Sequence, residues 1–211
     1  MIPFNAQVNH VAIRRKKIYD GLSDDKKEKI KQLSNCSWKE IKPVIIKRDK
    51  NYPEIGDIFE YKPNKEITLY GLVINNHIFY KGGTEEDGGW IVSVIFKKDI
   101  DIYSCIKKGI RKEHLLIYPN KSSALHWKKG YCHKITHVQC FKMKDSYGFD
   151  NPSYGRFETE NGNVLKKEPV MFDGCGILTE FGFAYEILYQ LIIEGVEFDL
   201  PINWLKDYLC C

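Results

Sequence analysis

No stretch of the 211 residues approaches the roughly 20 consecutive apolar side chains of a membrane-spanning helix. Nothing in the chain resembles a phosphate-binding glycine loop or a nucleophile elbow, and there is no internal repeat or low-complexity linker. These absences set aside helical membrane proteins, nucleotide-loop enzymes and solenoids. The order of a signal peptide is also missing, because Arg14, Arg15, Lys16 and Lys17 follow a weakly apolar stretch instead of preceding it. The cysteines lack a disulfide framework: seven of them, at 36, 105, 132, 140, 175, 210 and 211, make an odd and scattered set. Reduced thiols and a cytoplasmic location are therefore expected. A chain of this length buries roughly 70% of its unfolded surface, enough to fold without disulfides or a structural metal. A single domain over residues 1–211 is the expectation.

What is present is 43% hydrophobic and 28% charged residues, sufficient for one sizeable core. The net charge of +4 conceals segregation. Residues 1–50 hold 13 Lys/Arg against 6 Asp/Glu, residues 51–144 hold 15 against 10, and residues 145–211 hold 4 against 12. A basic front and an acidic back imply either attraction within the fold or two surfaces for different partners.

Residues 1–50 read as a basic, mainly helical extension. Ser23 caps a helix with Asp24 and Asp25 in its first turn, and Ile30 and Leu33 are its apolar anchors. Ile41–Lys47 is strand-like. Residues 53–175 form a β-rich core with strand signals at Gly56–Tyr61, Ile67–Ile74, His77–Lys81, Trp90–Lys97, Glu113–Tyr118 and Tyr131–Met143. The acidic Gly82–Gly89 stretch reads as a loop. Tyr154–Glu160 leads into Asn161-Gly162, which predicts a type I′ hairpin returning through Val164 and Leu165. Residues 179–211 are helical. Thr179 caps a helix ending at Glu194 and Gly195, with Phe181, Tyr185, Leu188 and Ile192 on its apolar stripe and Glu186, Gln190 and Glu194 on its polar one. Pro201 opens a last helix holding Trp204, Leu205, Tyr208 and Leu209. The expected architecture is α+β, with an antiparallel β-meander or small β-barrel core flanked by N-terminal and C-terminal helices.

Cys132, His133, His137 and Cys140 have the residue types of a zinc site, but on one strand the cysteines would stand about 26 Å apart and the histidines about 13 Å. Buried thiols and half-exposed imidazoles are the plainer reading, and no metal or other cofactor is assigned. Gly174-Cys175-Gly176 reads as a turn. Glu158 and Glu160 share a strand face and offer either an acid/base pair or a solvated face, the latter being simpler. Arg14–Lys17 with Lys26, Lys27, Lys29 and Lys31 could meet phosphates, yet Asp24, Asp25 and Glu28 interrupt them and only Tyr19 lies nearby. A solvated helical face is simpler than a nucleic-acid-binding regulator. Cys210-Cys211 reads as incidental thiols, and no catalytic residue is assigned.

Three groups of residues carry a resemblance. Gly56-Asp57-Ile58-Phe59-Glu60 is followed by Tyr70-Gly71-Leu72-Val73-Ile74; Trp127 stands before Gly130-Tyr131; and Tyr154-Gly155-Arg156-Phe157 runs into Glu160-Asn161-Gly162-Asn163. In order and spacing, residues 53–175 resemble the immunity protein 26 family of predicted bacterial immunity proteins. The resemblance implies a cytoplasmic, non-catalytic protein that binds and neutralises a cognate toxin domain; it leaves residues 1–50 outside the shared region. Gly56-Asp57-Ile58 with the Val73-Ile74 strand also resembles the small-barrel endoribonuclease toxins, although Tyr70-Gly71 stands where those carry an arginine-proline pair. The acidic residues of positions 145–173, interleaved with Tyr147, Phe149, Tyr154 and Phe157, suit a basic partner such as a nuclease toxin. The candidate partner-binding residues are Asp145, Tyr147, Asp150, Tyr154, Glu158, Glu160 and Asp173. The alternative is that the aromatics fill the core beneath an ordinary acidic surface.

Overall fold

The apolar runs that follow Pro53 build an antiparallel meander. In the computed structural model, which describes residues 8–79 and 89–200, β1 (Asp57–Tyr61), β2 (Leu69–Ile78), β3 (Trp90–Phe96) and β4 (Leu115–Ser123) pair in chain order. β5 (Cys132–His137) returns antiparallel to β1, and β9 (Ile177–Leu178) runs parallel to β4. The sheet order is thus β5-β1-β2-β3-β4-β9, open at both ends. The meander is present and the barrel is not. Successive side chains bury on opposite faces of this sheet, so each face is covered by its own layer instead of one face closing on itself.

Phe59, Tyr61, Val73, Ile91 and Ile95 face a helical layer made by α2 (Asp24–Asn35), α4 (Leu125–Lys128) and α5 (Glu180–Glu194). Ile58, Leu72, Val92, Val94 and Phe96 face α3 (Ile102–Lys108) and a second, three-stranded sheet. That sheet has the order β7 (Arg156–Glu158), β6 (Tyr147–Asn151), β8 (Met171–Gly174), with β8 parallel to β6. α1 (His10–Asp20) lies against β8 and α5. The fold is α+β with helices at both ends of the described chain.

Two glycines in the strand motifs are set by close approach. Gly71 stands opposite Phe59 across the β1–β2 pair, and a Cβ there would meet the Phe59 ring at 2.2 Å. The bare backbone lets that ring lie down, with Trp127 edge-on to it at 5.2 Å. Gly56 has φ +96°, and a Cβ would fall 2.2 Å from the Val138 carbonyl oxygen.

The caps follow the sequence at α5, where Thr179 Oγ1 accepts from Gly182 N at 3.1 Å and Gly195 closes the helix in the left-handed conformation. α2 begins after Ser23 and buries Ile30 and Leu33, although the Ser23 side chain makes no capping bond. Other expectations are corrected. Ile41–Lys47 is not a strand; its cross-chain bonds are isolated ones, from Val44 N to Lys62 O and from Ile46 and Lys47 N to Gly130 O. His77 belongs to the end of β2, which absorbs it through register shifts and a φ of 51° instead of starting a new strand. β5 stops at His137, leaving Cys140 on an exposed irregular segment. The Asn161-Gly162 turn is wider than type I′. Only Gly162 of the pair has positive φ, Thr159 N bonds Asn163 O at 2.8 Å, and the return is a single bridge from Glu158 to Val164. The Gly82–Gly88 part of the acidic loop and the helix expected from Pro201 lie outside the described residues, among which no helix is long and apolar enough to cross a membrane.

Candidate functional site: the acidic seam beneath the first helix

Strand β6 brings Asp150 inward, where it is 1% exposed. Its Oδ1 lies 2.8 Å from His10 Nδ1 and its Oδ2 accepts from Val11 N at 3.1 Å. Asn9 Oδ1 takes the Ala12 N–H at 2.8 Å. The first turn of α1 is therefore capped by one of its own side chains and by a carboxylate from 139 residues away, where the helix dipole favours negative charge. One turn on, Arg14 donates to the Phe172 carbonyl at 2.5 Å and lies 4.5 Å from the centre of the Phe172 ring. Arg15 pairs with Glu186, which is 5% exposed and also accepts from Gln190. Sequence periodicity puts Glu186 on a polar stripe; Glu186 is covered because α1 lies over it, while Glu194 at the far end stays exposed.

Asp173 stands on β8 opposite Phe149 of β6, adjacent to Asp150 in the neighbouring strand. Burial first, and then the Glu186 carboxylate, push its pKa up to about 6, against the opposing pull of the Gly174 N–H, Arg15 and Arg14. Beneath the second sheet, Lys121 is buried with its ammonium 4.3 Å from the Phe149 ring centre. Burial holds its pKa below the usual lysine value, partly offset by Cys175, Glu158 and Glu160.

The seven candidate partner residues divide. Asp150 and Glu158 face inward; Glu158 is fully buried, accepting from Asn151 Nδ2 at 3.0 Å and from Arg156 Nε at 2.8 Å. Glu160 and Tyr147 meet each other, the Tyr147 hydroxyl donating at 3.2 Å and Asn75 Nδ2 adding a bond of 2.7 Å. Asp145 accepts from Lys112 N at 2.8 Å. Tyr154 is 66% exposed, with the Arg156 guanidinium 4.6 Å from its ring centre. Asp173 borders a cavity of about 310 Å³ between α1 and the bend that joins β8 to β9. Phe149 and Phe157 are buried, as the core-filling alternative expects. Sequence reasoning missed Asn120 on the cavity wall and the inward role of Arg14, Arg15 and Glu186. The opposite charge of the two chain ends was the signal for the latter.

Cys132 is buried in the main core, and Cys140 lies beyond the strand that holds it. Among the described residues, the grouping with metal-ligand geometry is Glu54, Asp57 and His137, whose atoms lie within 4.8 Å of one another. Its centre is already taken. Asp57 Oδ1 sits 2.7 Å from Lys134 Nζ and 2.9 Å from His137 Nδ1, while Oδ2 accepts from Glu54 N at 3.0 Å. This reads as a clasp that fixes the start of β1 against β5. Comparison of the chain with protein-family models, with curated proteins and with solved structures found no match.

Proposed function

We propose that the chain is an immunity protein that binds a cognate bacterial toxin domain and neutralises it by stoichiometric occlusion, without catalysis. The observation that carries this reading is the docking of α1. An 11-residue helix with no buried residue is held on the acidic third of the chain through His10, Arg14 and Arg15, so this face has the chemistry to accept a basic helix. A basic toxin such as a nuclease presents similar groups, and complementary charge speeds its encounter. The exposed Tyr154 adds an aromatic anchor of the kind that dominates interface energies. We place the protein in the cytoplasm, in keeping with an odd, scattered set of seven cysteines. The open sheet lacks the small barrel on which the endoribonuclease resemblance relied. Co-expression with the toxin encoded beside it tests the reading: growth is restored and the purified pair forms a 1:1 complex. Failure of both with the true neighbour overturns it, and cleavage of RNA by the purified chain would replace it with the enzyme reading.

A further inference from the structure

The cavity beside α1 carries one buried acceptor without a partner among the described residues, next to a carboxylate outside any ion pair there. Asn120 is 1% exposed on its wall. The Asn120 Nδ2 donates to Ser93 O at 3.0 Å and leans on Tyr118 O at 3.4 Å, and these two carbonyls fix which way the amide faces. Its Oδ1 is left buried with no hydrogen-bond partner among the described residues, a costly arrangement unless a donor arrives. Asp173 borders the same space, accepts from Gly174 N at 2.8 Å, and enters no ion pair among the described residues. The cation on the wall, Arg15, directs its Nη2 to Glu186, and its Nε is buried without a hydrogen-bond partner among the described residues. Ile177 and Leu178 supply an apolar flank.

We propose that this cavity is a receptor for a guanidinium group, presented by an arginine side chain of the toxin. The planar five-donor fork can reach the Asn120 carbonyl and the Asp173 carboxylate together, which a compact ammonium does less well, and its aliphatic stem suits the apolar flank. The toxin as the source rests on the immunity reading above; the guanidinium chemistry stands on the cavity alone.

The probe is agmatine, a guanidinium on a short amine stem, titrated into the full chain and followed by amide chemical shifts, with butylamine as the comparator. Saturable 1:1 binding is expected, with shifts at Asn120 and Asp173–Leu178 and a preference over butylamine. Asp173→Asn should weaken it roughly tenfold, the scale of one charge-assisted hydrogen bond. Gly176→Leu should abolish it, because a Cβ at Gly176 meets nothing within 4 Å and the side chain can fill the cavity without a backbone clash. Unchanged amide shifts away from the cavity establish that both variants fold. No saturable binding by the wild-type chain, or unchanged binding by Gly176→Leu, overturns the receptor. In cells, loss of protection by Gly176→Leu assigns the guanidinium to the toxin, whereas full protection overturns that assignment. A wild-type chain that binds agmatine and fails to protect overturns the immunity reading and leaves the receptor standing.

Discussion

At the scale of single residues, a buried histidine and a half-buried aspartate push stability in opposite directions with pH. His126 lies in the core, its ring 5.4 Å from that of Phe183, and burial pushes its pKa down to about 4. The folded value lies below the unfolded one near 6.5, so the unfolded chain takes the proton first. Stability is then full above pH 6.5 and lost as the pH falls toward 4, by about 3 kcal/mol across that window. His126→Leu should flatten the pH dependence of the urea midpoint between 6.5 and 4; an unchanged slope would remove His126 as its source. Asp173 has the reverse sign. Its folded pKa of about 6 exceeds the ordinary 3.8, so the ionised carboxylate costs stability above pH 6 and the cost fades as the pH falls toward 4. Asp173→Asn should raise stability at pH 7 by up to about 2 kcal/mol, with the gain vanishing near pH 4. The sequence singles out Asp173 together with Asp150 and Glu158 as acidic, and strand alternation alone does not separate Asp173, outside any ion pair among the described residues, from the two that are already engaged. What separates them is α1 above Asp150 and the Asn151–Arg156 clasp around Glu158, neither of which a local window contains.

Elements were legible where their signals were local. α5 carries its cap, its apolar period and its terminal glycine within 17 residues, and its bounds follow. The meander strands announce themselves as apolar runs. α3 is only seven residues long, and its Asp101 cap is too short a signal beside two strands. Ile41–Lys47 has the β-branched residues of a strand but no continuous ladder to join. The position of α1 is the least legible, because it fully buries no residue of its own and is tied down by polar groups from distant parts of the chain. That makes it sensitive to one contact. Arg15→Ala leaves the buried Glu186 without its cation, so trypsin cleavage at Arg14, Lys16 and Lys17 should rise severalfold while the melting temperature moves by only a few degrees. Cleavage at the wild-type rate would show that the helix is held by something else.

Across the whole molecule, the charge asymmetry of the sequence resolves into attraction within the fold. Arg15–Glu186 and Lys29–Glu197 join the basic first fifty residues to the acidic last third, beside the His10–Asp150 hydrogen bond. These pairs are partly exposed, and the screening length is about 10 Å at 0.1 M salt, shrinking to about 3 Å at 1 M. Raising NaCl should therefore speed hydrogen exchange of the α1 amides more than those of α5, which is held by apolar burial; equal acceleration of both would contradict electrostatic docking. The same long-range pairs dictate a sequence of events during synthesis. α1 leaves the ribosome well before its anchors Asp150 and Glu186, which follow 140 and 171 residues later. At roughly 5–20 residues per second the helix waits on the order of 10–30 s, a bare cationic segment without its counterpart. The cavity beside α1, whose walls come from both ends of this span, cannot exist until that wait is over.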